Sequence, residues 1–207
     1  MKSTSTGGYC LGFGAHAFIR GVAGKRGYPR GHVSASARVV SALSDLIRSE
    51  GIRSISDFGA GVGQYKAAVL SRSSDLRYAA YDGAGDILES TDGYVEFFDL
   101  TLPLALPKTD WVMSLEVGEH VPNMYEAMVI RNLHHHNCKG LILSWAVLGQ
   151  LGRNHINCHS NKYIISVFEE LGYTYDSTAA ASFRLKEDNY WWFEKSLMVF
   201  RRKTPAC

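Results

Sequence analysis

The run Ile52–Phe58 breaks directly into Gly59-Ala60-Gly61-Val62-Gly63-Gln64, and this junction constrains the chain more than any other stretch. A short apolar strand followed by glycines at alternate positions brings backbone N–H groups close to a ligand, because no Cβ stands in the way. A dinucleotide-binding loop spaces its glycines G-x-G-x-x-G. Here the spacing is G-x-G-x-G, and an acid, Asp57, precedes the first glycine by two residues. The junction predicts a nucleotide-like ligand at the tip of a first strand, and its spacing argues against a dinucleotide.

Strand-like and helix-like segments alternate along the rest of the chain. Val33, Val39, Val40, Leu43, Leu46 and Ile47 fall at helical spacing between His32 and Glu50, and Gly51 stops that helix. After the first strand come a helix at Gln64–Ser71, a strand at Arg77–Tyr81, a short helix at Gly85–Glu89 and a strand at Tyr94–Phe98. A strand at Asp110–Leu115 leads to a helix at Pro122–His136, with Pro122 suited to its first position. A strand at Gly140–Trp145 and a helix at Asn161–Leu171 follow. The extended runs Tyr173–Thr178 and Ser196–Arg201 are expected to pair as an antiparallel hairpin. This order predicts an α/β fold, a mainly parallel sheet covered on both faces by helices. Residues 1–31, rich in Gly, Ser and Arg, read as an N-terminal arm, and 32–207 as one domain with a single core.

Two further strands end in acids. Arg77–Tyr81 runs into Asp82-Gly83, and Tyr94–Phe98 into Asp99-Leu100. A carboxylate at the second tip suits the two ribose hydroxyls of an adenosine ligand. Asp82-Gly83 is also a good turn pair, and the same acid would serve a nicotinamide dinucleotide. Together with the glycine loop, these endings resemble the class I S-adenosylmethionine (SAM) methyltransferases. The resemblance implies a three-layer, Rossmann-like α/β/α fold with one antiparallel C-terminal strand, and SAM as cofactor. It also implies a cofactor site: Asp57 near the sulfonium end, Gly59, Ala60, Gly61 and Gly63 in the loop, and Asp82 and Gly83 at the ribose. Asp99 and Leu100 would meet the adenine, with Leu115 and Glu116 completing the wall at the fourth strand's end.

That fourth strand runs into Glu116-Val117-Gly118-Glu119-His120-Val121-Pro122. Spacing of i, i+3, i+4 gathers Glu116, Glu119 and His120 on one side of a turn. Pro122 disfavours a helical Val121, so a tight loop is expected. One reading is loop structure and substrate contact; the other is a metal site, since carboxylate oxygens and an imidazole nitrogen make a first shell for Mg²⁺, Mn²⁺ or Zn²⁺. The Glu-x-x-Glu-His arrangement resembles that of ubiquinone-pathway O-methyltransferases and of small-RNA 3′-terminal 2′-O-methyltransferases, in which a divalent cation is implied. The RNA enzymes place a further histidine before the helix after the fifth strand. His155 matches that position, with His159 as the reserve. The implied metal set is Glu116, Glu119, His120 and His155. Glu119, His120 and His155 are the catalytic candidates, and either histidine is the general base if no metal binds.

Composition narrows the partners. A net charge of +2 over 207 residues is too mild to predict a long nucleic-acid groove. The clusters Lys25, Arg26 and Arg30, and Arg201, Arg202 and Lys203, read as solvated surface. A small molecule with a hydroxyl or amine acceptor is the expected substrate, with RNA, a non-catalytic SAM-binding role and a nicotinamide oxidoreductase as alternatives. No run reaches the roughly 18–20 apolar residues of a membrane span. Cys10, Cys138, Cys158 and Cys207 are scattered, which predicts reduced thiols in a cytoplasmic protein. His134, His135 and His136 sit where imidazolium would favour a helix C-terminus. Tyr190-Trp191-Trp192-Phe193 reads either as a wall over a flat ligand or as sheet-edge packing, and His16, Tyr9 and Phe13 belong to an arm that is a candidate lid.

Overall fold

The computed structural model describes the backbone of Lys2–Ser3 and Tyr9–Cys10 and all of residues 33–207. Lys2–Ser3 (β1) and Tyr9–Cys10 (β2) pair antiparallel. His16, Phe13, Lys25, Arg26, Arg30 and the Tyr9 side chain, and with them the expected lid, lie outside the described residues.

The first long helix, Ala37–Glu50 (α1), opens on Ser36, whose side chain accepts from the Val39 N–H, and closes on Gly51 at φ 59°. Its start is four residues later than the apolar spacing reached. Ser54–Phe58 (β3) leads through the glycine loop into Gln64–Leu70 (α2), then Arg77–Asp82 (β4), Ile87–Ser90 (α3) and Glu96–Phe97 (β5). Thr109–Leu115 (β6) is followed by two 3₁₀ turns, Gly118–His120 and Asn123–Tyr125, before Glu126–His135 (α4). Pro122 therefore precedes a 3₁₀ turn rather than opening the α-helix. Asn137–Ser144 (β7), Asn161–Glu170 (α5) and Tyr173–Tyr175 (β8) follow. Ser177–Arg184 (α6) and Phe193–Ser196 (α7) occupy the connection, and Leu197–Arg202 (β9) ends the sheet. The two helices inside the final hairpin were not legible in the sequence, because Tyr173–Thr178 reads as one extended run, whereas Asp176 ends it and caps α6 by accepting from the Ala179 N–H.

The main sheet runs β5-β4-β3-β6-β7-β9-β8, parallel except for β9. Alternation along the strands sorts the core into two clusters. Trp111, Met113, Ile142 and Val199 face α1, α2 and α6, while Val112, Leu141, Leu143, Met198 and Phe200 face α4 and α5. This is the three-layer arrangement the alternating elements predicted. The chain leaves β3 for one side of the sheet and returns to the other at β6, so the crevice beyond the carboxyl ends of β3 and β6 is the switch point where such sheets bind ligands. Among the described residues no helix is long and apolar enough to cross a membrane.

Two expectations fail. Cys138 and Cys207 form a disulfide across 69 residues, so these two are not reduced thiols. The carboxyl-terminal segment folds back on β7, with the Ala206 N–H donating to the Cys138 carbonyl at 2.8 Å, and nothing in the cysteine spacing announces that return. Cys158 keeps a free thiol. His134 and His135 also do not make a cationic helix end. Burial and the neighbouring Arg202 push His134 down to about 4, and His135 is lowered as well. His136 is buried, its Nδ1 donating to the Asn132 carbonyl at 2.7 Å and its ring lying edge-on to Phe58.

Candidate functional site

The glycine loop is held open by positive backbone angles, φ 80° at Gly59, 57° at Gly61 and 81° at Gly63. A Cβ at Gly59 would be driven into Val117, and one at Gly63 would come within 2.8 Å of the Tyr94 ring. Only glycine fits both demands. The Gly59 and Ala60 N–H groups donate to the Tyr81 carbonyl at 2.8 and 2.9 Å, which seats the loop on the tip of β4.

Asp82 ties the two strand tips together. Its Oδ2 accepts from the Gly61 N–H at 2.8 Å and its Oδ1 from the Ala84 N–H at 2.9 Å. Burial raises its pKa despite these bonds. Each oxygen keeps a second lone pair for a ribose hydroxyl. Asp99 follows β5, and Thr101 donates to its Oδ1 through both N–H and hydroxyl, at 2.9 and 2.7 Å, leaving the other oxygen acceptor capacity. Leu100 and Ala60 are buried beside them, Leu115 is half-buried, and a Cβ at Gly83 would touch the Phe98 carbonyl at 3.4 Å. Asp57 differs from its expected surroundings. It lies in the core beneath the loop, where the Tyr78 hydroxyl donates to it at 2.9 Å, and burial pushes it up to about 7.

At the end of β6, Glu116 adopts φ 55°, an angle that costs a residue with a Cβ about 1–3 kcal/mol. The turn Gly118–His120 then presents Glu119 inward, fully buried, with no well-formed hydrogen bond on either carboxylate oxygen, although the Glu119 and Ala146 N–H groups and the Glu116 carboxylate lie close by. Burial and the nearby Glu116 carboxylate raise the Glu119 pKa well above the ordinary range. Single ligand atoms of Glu119, His120 and His155 lie within 4.8 Å of one another. His120 donates through Nδ1 to the Asn154 carbonyl at 3.3 Å, and His155 through Nδ1 to the Gln150 carbonyl at 3.1 Å. With its proton on Nδ1, His155 carries its lone pair on Nε2, the usual device for presenting a metal-ligating imidazole, while His120 is also held by the Arg153 backbone. Burial holds His120 at about 4, which keeps the ring neutral and able to ligate.

Of the four residues in the implied metal set, Glu119, His120 and His155 share one cluster, and the Glu116 carboxylate neighbours Glu119 but has partners of its own. Its Oε2 accepts from Gln150 Nε2 at 2.7 Å and its Oε1 from the Ser196 hydroxyl at 2.9 Å. His159, the reserve candidate, also stands apart. Its Nε2 donates to Glu126 Oε2 at 2.6 Å and its ring stacks on Tyr163. The aromatic run divides in the same way: Phe193 is in the core, Tyr190 stacks on Trp192 at 4.6 Å, and Trp191 is exposed.

Several supporting residues had no signal in the sequence. Trp145 is buried against Gly118, where any Cβ would strike its ring. The Ile156 and Asn157 N–H groups donate to the Glu119 carbonyl at 2.9 and 3.0 Å, stapling the His155 loop to the Glu119 turn. Gln150 and Ser196 are distant in sequence from Glu116, and ordinary residue types in loops give no hint of such a meeting.

Solved structures similar in shape to this chain share one architecture. Magnesium protoporphyrin IX methyltransferase (ChlM) from Synechocystis PCC 6803, with bound SAM, superposes with a TM-score of 0.58 at 16% identity, covering 84% of this chain and 87% of that one. The sugar N-methyltransferase KedS8 from Streptoalloteichus sp ATCC 53650 gives a TM-score of 0.62 at 12% identity, over 84% of this chain and 90% of that one. The chain has the class I SAM methyltransferase fold. The methyltransferase domain of bacterial CtHen1-C shares it, at a TM-score of 0.58 and 15% identity over 80% of this chain and 97% of that one. No protein-family model and no curated protein sequence matches the chain. The glycine loop, Asp82 and Asp99 follow β3, β4 and β5, and the Glu119 cluster is reached from the end of β6, so all of them lie beyond the carboxyl ends of parallel strands.

Proposed function

We propose that this protein is a SAM-dependent methyltransferase that transfers the sulfonium methyl group to an oxygen or nitrogen of a small molecule, with a divalent cation held by Glu119, His120 and His155. One observation carries the metal part. A fully buried carboxylate with no well-formed hydrogen bond on either oxygen is costly, unless it is protonated or a cation answers it, and here two imidazoles converge on it. The donor set fits a divalent ion of the Mn²⁺ or Zn²⁺ kind.

The chemistry follows from positioning. The glycine loop and Asp82 hold the donor so that its methyl group points toward the end of β6. The acceptor's lone pair forms the new bond to the methyl carbon as the carbon–sulfur bond breaks, its electron pair passing to sulfur to give S-adenosylhomocysteine. Alignment of donor and acceptor supplies most of the acceleration. A bound divalent cation would lower the pKa of an acceptor hydroxyl. Without one, an imidazole of the cluster takes the acceptor's proton.

Leu148, Leu151 and Ile156, on the loop that carries His155, and Met124 beside Asn123 are exposed. An apolar rim favours an acceptor with an apolar body over a phosphate backbone. An RNA 3′-end substrate is the second reading, supported by the resemblance of the Glu-x-x-Glu-His arrangement to that of small-RNA 3′-terminal 2′-O-methyltransferases.

Calorimetry with SAM, S-adenosylhomocysteine and NAD tests the cofactor; tight NAD binding without SAM binding overturns the reading. Methylation assays on hydroxylated aromatics, amines and short RNA 3′ ends, each with and without EDTA, test acceptor and metal. Full activity of Glu119→Ala together with insensitivity to EDTA leaves no role for a cation.

A further inference from the structure

The Glu-x-x-Glu-His spacing makes Glu116 an apparent fourth metal ligand, but its place in the fold points elsewhere. Both of its carboxylate oxygens already accept a hydrogen bond, from Gln150 Nε2 at 2.7 Å and from the Ser196 hydroxyl at 2.9 Å. Its backbone is anchored too, the N–H donating to the Ser144 hydroxyl at 2.8 Å, which over-determines the positive φ.

Gln150 is equally well fixed. Its N–H donates to the Val147 carbonyl at 2.9 Å and its Oε1 accepts from the Val147 N–H at 3.3 Å, so the amide's orientation is set with Nε2 toward Glu116. Its own carbonyl oxygen accepts from His155 Nδ1 at 3.1 Å. Ser196 at the end of α7, Glu116 and the Gln150 side chain are thus joined by side-chain bonds, and the Gln150 backbone carbonyl in turn holds one ring of the cluster. Asn154, whose carbonyl receives His120 Nδ1, sits at φ 55°, so the second ring also rests on a backbone held in an uncommon conformation.

We infer that Glu116 is a positioning residue rather than a metal ligand: through Gln150 it holds His155 in its Nε2-presenting tautomer, and the centre takes three protein ligands, Glu119, His120 and His155. This rests on the metal reading proposed above. Two imidazoles and one carboxylate suit Mn²⁺ or Zn²⁺ better than Mg²⁺, which prefers all-oxygen shells. A three-ligand centre also leaves coordination positions for the acceptor's oxygen.

The test is Mn²⁺ binding to the full chain, followed by calorimetry and by the Mn²⁺ paramagnetic resonance signal. Glu119→Gln is expected to lose binding by about a hundredfold or more. Glu116→Gln keeps an acceptor oxygen for Gln150, and the Ser196 hydroxyl can rotate to accept from the new amide, so its affinity stays within about threefold of wild type. Glu116→Ala and Gln150→Ala each weaken binding about 10–100-fold, and the double variant is no worse than the weaker single, because both cut the same link. Nitrogen-15 spectra of the His155 ring show one tautomer in wild type and a mixture in Gln150→Ala.

A Glu116→Gln variant that loses Mn²⁺ as completely as Glu119→Gln makes Glu116 a ligand and overturns this inference while the metal reading stands. Additive losses in the double variant mean that Glu116 and Gln150 do not act through one link. Wild-type protein that binds neither Mn²⁺ nor Zn²⁺ overturns both readings together. Should Glu116→Ala fail to fold by circular dichroism, Glu116→Gln and Gln150→Ala decide the matter alone.

Discussion

Trp145 donates its indole Nε1–H to the Asn157 carbonyl at 2.6 Å, tying the end of β7 to the loop that carries His155. The ring is fully buried, and the Asn157 N–H in turn donates to the Glu119 carbonyl. Trp145→Phe keeps the apolar bulk but leaves a buried carbonyl unanswered, at about 1–3 kcal/mol. The expected result is a lower Tm and faster hydrogen exchange at the Ile156 and Asn157 amides. Unchanged exchange at those amides would mean that the loop is held by other contacts.

Gly59 meets two demands at once, φ 80° and contact with Val117. Gly59→Ala is expected to lose roughly 1–3 kcal/mol of stability and to weaken SAM binding measurably. Adding Val117→Ala relieves the collision but not the backbone strain, so recovery should be partial. Complete recovery in the double variant, read by thermal denaturation and calorimetry, would show that the backbone angle carries no cost.

Asp82→Asn sets an amide NH₂ against one of the two backbone N–H groups that the carboxylate now accepts. Both the loop geometry and the ribose contact suffer, and affinity for S-adenosylhomocysteine should fall about 10–100-fold, the equivalent of one or two charge-assisted hydrogen bonds. Retained affinity would remove Asp82 from the cofactor site.

Asp57 gives a pH signature. Burial raises it from an ordinary 3.8 to about 7 in the folded protein. Between those values the folded state holds a proton that the unfolded state has released, so stability falls as pH rises through this window, and the penalty is complete above about 7. The span corresponds to roughly 4 kcal/mol as an upper bound. Asp57→Asn does not titrate and still accepts from the Tyr78 hydroxyl. Its Tm advantage over wild type is expected to grow from pH 4 to pH 8. A constant difference across that range would show that Asp57 is ionised throughout.

Local chemistry was enough to specify much of this protein. β3 and the glycine loop are legible because a short apolar strand and alternate glycines act over a few residues, and the acids at Asp82 and Asp99 declare themselves by following strands. The order of strands and helices, with the antiparallel pairing of β8 and β9, follows from periodicity in the same way. The turn Gly118–His120 was readable from Pro122 and the spacing of its acids. What tertiary structure alone decided depends on residues far apart in the chain. Glu116 and Glu119 are both acids at the same strand end, yet one is bound by Gln150 and Ser196 while the other is buried without a well-formed hydrogen bond. Spacing ranked His155 ahead of His159, but only the fold shows that one ring meets Gln150 and the other Glu126. Cys138 and Cys207 meet because the last segment folds back on β7. Sequence spacing sets which side chains share a strand end, but packing between distant segments sets what each of them touches, and a carboxylate's chemistry is set by what it touches.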